Sequence, residues 1–102
     1  MVEDKTLPII WDKVAKTQLR KAYNKIAKES SQGAETVLKG IINCIDELPK
    51  QPNRHPADKF KANNTGAYRA FETHNYRITY KITDKNIQIL RVRHVKREPL
   101  DY

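Results

Sequence analysis

Between Trp11 and Lys28 the apolar residues Trp11, Ala15, Leu19, Ala22 and Ile26 recur at helical spacing. Val14 and Tyr23 lie beside the stripe, and Lys and Arg fill the opposite face. The pattern predicts an amphipathic helix with Asp12 placed to cap its start. Glu29-Ser30-Ser31-Gln32-Gly33 breaks it. A second helical stripe follows at Ala34, Val37, Leu38, Ile41, Ile42, Ile45 and Leu48, and Pro49 stops it. Cys44 borders this stripe and reads as a packed thiol rather than a nucleophile. Two helices joined by so short a link form a helical hairpin.

The period then changes. Residues 49–66 read as a loop, punctuated by Pro49, Pro52 and Pro56, anchored by Phe60 and closed by Asn63-Asn64-Thr65-Gly66. Three strands follow. The first spans about residues 67–72, and Thr73-His74-Asn75 turns the chain. The second, residues 76–83, alternates strictly: Tyr76, Ile78, Tyr80 and Ile82 on one face, Arg77, Thr79 and Lys81 on the other. Asp84-Lys85-Asn86 is the next turn. The third, residues 87–95, is apolar at Ile87, Ile89, Leu90 and Val92. It is either buried on both faces or carries a bulge between Ile89 and Leu90. Residues 5–10 offer a further edge strand, because Pro8 excludes a central one. The expected architecture is α+β, a helical hairpin on one face of a small antiparallel sheet whose other face stays open. Arg77, Thr79 and Lys81 point to that open face.

A chain of 102 residues has room for one core, so a single domain over residues 1–102 is expected. No apolar run approaches the ~20 residues that span a bilayer. The acidic start Met1-Val2-Glu3-Asp4-Lys5 lacks a signal-peptide core, so a cytoplasmic location is expected. One cysteine excludes an internal disulfide and a multi-cysteine zinc site. The histidines and carboxylates are scattered, so neither metal nor cofactor is expected. The net charge of +8 favours a polyanion or an acidic protein as partner. Arginine dominates the basic residues beyond residue 66, and its planar fork suits phosphate. Arginines converging from adjacent strands suggest a phosphate-binding surface.

This order of elements resembles the RelE/ParE superfamily of toxins from bacterial type II toxin–antitoxin systems. The resemblance runs over nearly the whole chain from about Ile9. It is carried by the two amphipathic helices, Leu48-Pro49, Tyr76-Arg77-Ile78-Thr79-Tyr80-Lys81-Ile82, Ile89-Leu90-Arg91-Val92-Arg93-His94 and the closing Lys96-Arg97-Glu98-Pro99-Leu100-Asp101-Tyr102. It implies an acidic antitoxin as partner. It also implies one of two activities. The RelE-like and YoeB-like branches are ribosome-dependent endoribonucleases that cut mRNA by 2′-OH attack. The ParE branch poisons DNA gyrase and lacks the nuclease constellation.

RNA cleavage of that kind needs a base, a positive group on the phosphoryl oxygens and an acid for the leaving 5′-oxygen. The resemblance puts Arg77 at the place of the phosphate-stabilising arginine. His94 falls one residue from the place of the YoeB-like terminal histidine, and one step along a strand reverses the face. Asp58 stands where that branch carries a glutamate base, and Tyr102 resembles the C-terminal tyrosine of RelE-like toxins. Arg69, Lys81, Arg91, Arg93, Lys96 and Arg97 complete the expected RNA contacts. Phe71 stands where a second basic residue would accompany Arg69 in a RelE-like enzyme. The expected function is a metal-independent mRNA endoribonuclease acting on the ribosome. The alternative is a ParE-type gyrase inhibitor, with which the long segment before the first helix and the Arg91-Val92-Arg93-His94-Val95-Lys96-Arg97-Glu98 ending are compatible.

Overall fold

The computed structural model describes residues 6–96. The chain runs β1 (Ile9–Trp11), α1 (Lys13–Ala27), α2 (Ser31–Asp46), a 3-10 turn (Leu48–Lys50), β2 (Tyr68–Thr73), β3 (Tyr76–Ile82) and β4 (Ile87–His94). The sheet order is β1-β4-β3-β2. The last three strands form the expected antiparallel meander. β1 instead pairs parallel to β4, so the sheet is mixed. Pro8 lies just before β1 and accepts the Ile87 N–H through its carbonyl at 2.9 Å, a role that needs no N–H of its own.

Local chemistry sets the boundaries. Asp12 occupies the N-cap of α1, but its side chain accepts no capping bond. Ser30 does cap α2, its Oγ accepting the Gly33 N–H at 2.9 Å. His74 and Asn75 both have positive φ, 51° and 67°, which is the two-residue primed turn that matches strand twist. That hairpin tip rests on α2 at Gly40, where a methyl group would overlap the His74 ring.

α1 packs on α2 and lies over β4. Ala15, Ala22, Ile41, Ile45, Leu48, Ile78, Tyr80, Ile87, Ile89 and Val92 form the core between helices and sheet. Cys44 is half-buried against it. Among the described residues no helix is long and apolar enough to cross a membrane.

Two features of this fold govern the site. The first is a bulge in β4. Thr79 pairs with Arg91 and Tyr80 with Ile89, so Leu90 has no cross-strand partner. This resolves the apolar pair at Ile89-Leu90 in favour of the bulge. The second is the path of residues 51–66. They wrap from the helix side around the free edge of β2 to the outer face. On the helix side the Tyr80 hydroxyl donates to the Pro52 carbonyl at 2.8 Å, and the His55 ring stacks on Phe71 at 4.5 Å. At the edge Ala57 bridges Arg69, the Ala70 N–H donates to the Pro56 carbonyl at 3.2 Å and the Asp58 N–H donates to the Tyr68 carbonyl at 2.8 Å. The strap thus pairs groups that an edge strand would otherwise leave open. It also corrects the expectation of an open outer face, since Asp58 and Phe60 sit on it.

Candidate functional site on the outer sheet face

Strand alternation brings Arg77, Thr79 and Lys81 of β3 to the outer face, beside Arg93, Arg91 and Gln88 of β4 and Glu72, Ala70 and Tyr68 of β2. The strap adds Asp58 and Phe60. The Arg77 Nη2 lies 2.8 Å from Asp58 Oδ1, and its Nη1 lies 3.3 Å from Glu72 Oε2. Asp58 is 2% exposed. Its Oδ1 also accepts the Phe60 N–H at 3.0 Å, and its Oδ2 faces the Thr79 hydroxyl at 3.5 Å. A carboxylate buried this deeply requires such partners, because an uncompensated charge at that depth is expensive.

The aromatic rings of this face are covered by cations. The Arg77 guanidinium lies 4.9 Å from the Phe60 centroid, with Lys59 Nζ 5.1 Å from the same ring. Tyr68 holds Lys61 at 4.8 Å and Lys81 at 5.2 Å. Cation–π attraction accounts for both groupings. Asn64 fixes the loop beneath them. Its amide donates to the carbonyls of Tyr68 at 2.8 Å and Asp58 at 3.2 Å, while its Oδ1 accepts the Gly66 N–H at 2.9 Å.

The residues expected from sequence divide as follows. Arg77 and Asp58 meet directly. Lys81, Arg91 and Arg93 share their face, and Lys96 follows β4 on the surface. His94 does not join them. Without the bulge at Leu90 it would share a face with Arg77; with it, His94 pairs opposite Tyr76 on the helix side, its ring edge-on to Tyr76 at 5.2 Å. Arg69 is also on the helix side, opposite Tyr80, contrary to its expected place on an open strand. Its Nη1 donates to the carbonyls of His55 at 2.7 Å and Asn53 at 3.4 Å, which holds the strap. Tyr102 and Arg97 lie outside the described residues. The sequence does not mark Asn64 and Thr79 as partners of Asp58. The Asn63-Asn64-Thr65-Gly66 run signals a side-chain-stabilised turn, but nothing local says which strand it meets.

Two titrating groups mark the helix-side half of the strap. Burial pushes the Tyr80 phenol up to about 12, against the opposing effects of Arg69 and a backbone hydrogen bond with His55. Burial also lowers His55, with the nearby Arg54 charge adding to it.

The fold has counterparts among known proteins. The family model for the ParE toxin of the type II toxin–antitoxin system parDE matches residues 9–99. The chain therefore belongs to the ParE toxin family, within the RelE/ParE superfamily, and membership implies a cognate antitoxin. A solved structure of the chromosomal ParDE toxin–antitoxin system from P. aeruginosa superposes with a TM-score of 0.70 at 18% identity, over 89% of this chain and 98% of that one. The YoeB dimer from Staphylococcus aureus superposes with a TM-score of 0.60 at 17% identity, over 87% of this chain and 97% of that one. These two likenesses concern the fold. None of the curated proteins matches the sequence significantly.

Proposed function

We propose that this toxin acts in the manner of the ParE branch, by binding DNA gyrase, and does not cut mRNA. The carrying observation is the separation of the expected nuclease residues. Arg77 is on the outer face, bonded to Asp58, and the bulge at Leu90 puts His94 on the other face of the sheet. A general base must reach the hydroxyl it deprotonates within about 3 Å. Asp58 is 2% exposed, with Oδ1 taken up by Arg77 and Phe60. A base so placed is shielded from a substrate, and His94, across the sheet, is out of reach of a phosphate held by Arg77. The family match to ParE supports the same reading.

Inhibition by an acidic antitoxin fits the rest of the surface. Lys81, Arg91 and Arg93 give the outer face a positive field. Trp11, Leu19, Tyr23, Leu38 and Ile42 line an apolar groove along the helical hairpin that supplies anchors insensitive to salt.

The test is a parallel assay of the purified, antitoxin-free protein. Gyrase supercoiling should be inhibited, and mRNA translated on ribosomes should remain uncut by primer extension. Ribosome-dependent cuts with gyrase unaffected would overturn the proposal in favour of the nuclease reading.

A further inference from the structure

On the helix side of the sheet, a cleft of about 400 Å³ opens between α1 and the end of the β3–β4 pair. Gln18, Lys21, Lys25, Tyr76, Val92 and His94 are among its lining residues, and no Asp or Glu is. Lys21 and Lys25 are one helical turn apart, which sets them side by side along α1. Both are exposed, and among the described residues neither takes part in a salt bridge.

Two neutral donors are oriented beside them. The Gln18 Oε1 accepts the Val92 N–H at 2.8 Å. That bond commits the amide oxygen to the strand and leaves the NH2 as the group for a ligand. The His94 Nδ1 accepts the Lys96 N–H at 3.1 Å, so the neutral ring carries its proton on Nε2 as a donor. Contact with Tyr76, at an interplanar angle of 79°, fixes the plane of the His94 ring. The cleft therefore offers two ammonium groups and an amide from the helix wall and an imidazole N–H from the strand wall. Such donors, converging from two walls, suit the tetrahedral oxygens of phosphate better than a planar carboxylate. The volume exceeds what a single phosphate fills. The two lysines in file suit successive phosphates, and Val92 and Tyr76 supply apolar wall for the sugars between them.

We infer that this cleft holds the phosphate groups of a nucleic-acid backbone. It lies across the sheet from Arg77 and stands independently of which target the toxin takes.

Binding of the full-length protein to a 20-base-pair DNA duplex, measured by fluorescence anisotropy over a range of salt concentrations, tests this. Lys21→Ala/Lys25→Ala should lower the slope of log affinity against log salt by about 1.8, the loss of two phosphate contacts. His94→Ala should weaken binding, because it removes the donor of the strand wall. The control pair Lys39→Ala/Lys85→Ala carries the same net charge and should leave the slope intact. In NMR spectra the duplex should shift the Gln18 side-chain amide. Equal slope loss in the control pair would overturn the inference, since net charge alone would then explain binding. So would shifts at Gln18 and His94 produced by a polyglutamate peptide but not by the duplex, which would make the cleft a site for acidic protein. Shifts produced by inorganic phosphate but not by the duplex would overturn it as well, in favour of a free small anion.

Discussion

The Arg77 guanidinium and the Asp58 carboxylate meet at 2.8 Å across the outer face of the sheet, joining a central strand to a strap nineteen residues earlier in the chain. The bond holds the strap down, and its partners differ in exposure: the Arg77 side chain is 19% exposed and that of Asp58 only 1%. Arg77→Ala strands a buried charge and is expected to destabilise the fold by about 3 kcal/mol. Asp58→Ala should cost less, because Arg77 retains Glu72 and some water. The double variant should be more stable than the sum of the two losses predicts. Urea denaturation of the four proteins checks this; additive losses would mean that the pair does not latch the strap.

The same pair shows what sequence can and cannot disclose. The alternation of Tyr76, Ile78, Tyr80 and Ile82 puts Arg77 on the outer face without any knowledge of the fold. The spacing of Ile41, Ile45 and Leu48 likewise reveals the buried side of the helical hairpin. These signals are local and periodic. The strap has no period, and its path around β2 depends on Arg69 and Asp58 finding partners far along the chain. Arg69 therefore reads as a nucleic-acid contact in sequence, whereas in the fold it binds loop carbonyls. The face taken by His94 stays open in the sequence for a different reason. The bulge is legible in Ile89-Leu90, but its consequence, a reversal of every later side chain in β4, depends on which residue loses its pairing.

Gly40 and His74 form a second long-range pair. A methyl group on Gly40 would overlap the imidazole, whose position follows from the positive φ of His74. Because that ring is the exposed end of a flexible side chain, Gly40→Ala should swing it aside at a cost of about 1 kcal/mol or less, roughly offset by the helix preference for alanine. In a His74→Gly background nothing has to move, so the same substitution should stabilise by about 1 kcal/mol. Thermal melts of the four proteins measure it; an equal effect of Gly40→Ala in both backgrounds would contradict the packing account.

Tyr80 sets an alkaline limit. Its phenol is raised from about 10 in the unfolded chain to about 12 in the fold. The folded state thus favours the protonated phenol. That contribution is complete below pH 10 and is lost as pH rises through 12. At about 1.4 kcal/mol per unit, it amounts to about 2–3 kcal/mol. Absorbance at 295 nm should show a tyrosine component titrating near 12 that Tyr80→Phe removes, and Tyr80→Phe should flatten the fall in stability between pH 10 and 12. An unchanged alkaline limb in Tyr80→Phe would place the cause elsewhere.

His55 works in the acid direction. Burial against Phe71 and the Arg54 charge lower it from its ordinary 6.5, so the fold favours the neutral ring. Its contribution is present above pH 6.5 and is lost as pH falls toward the depressed value. His55→Phe keeps the stacked ring and should remove this part of the acid loss. Urea midpoints at pH 7.5 and 5.5 give the comparison; an identical drop in both proteins would exclude His55.

The most direct measurement of the central claim sets gyrase and the ribosome side by side, using one preparation of folded, antitoxin-free protein. With Arg77 bonded to a buried Asp58 and His94 on the far side of the sheet, DNA supercoiling by gyrase should fall as toxin is added, while ribosome-bound mRNA stays intact. Intact supercoiling together with new 3′ ends in ribosome-bound mRNA would contradict the account.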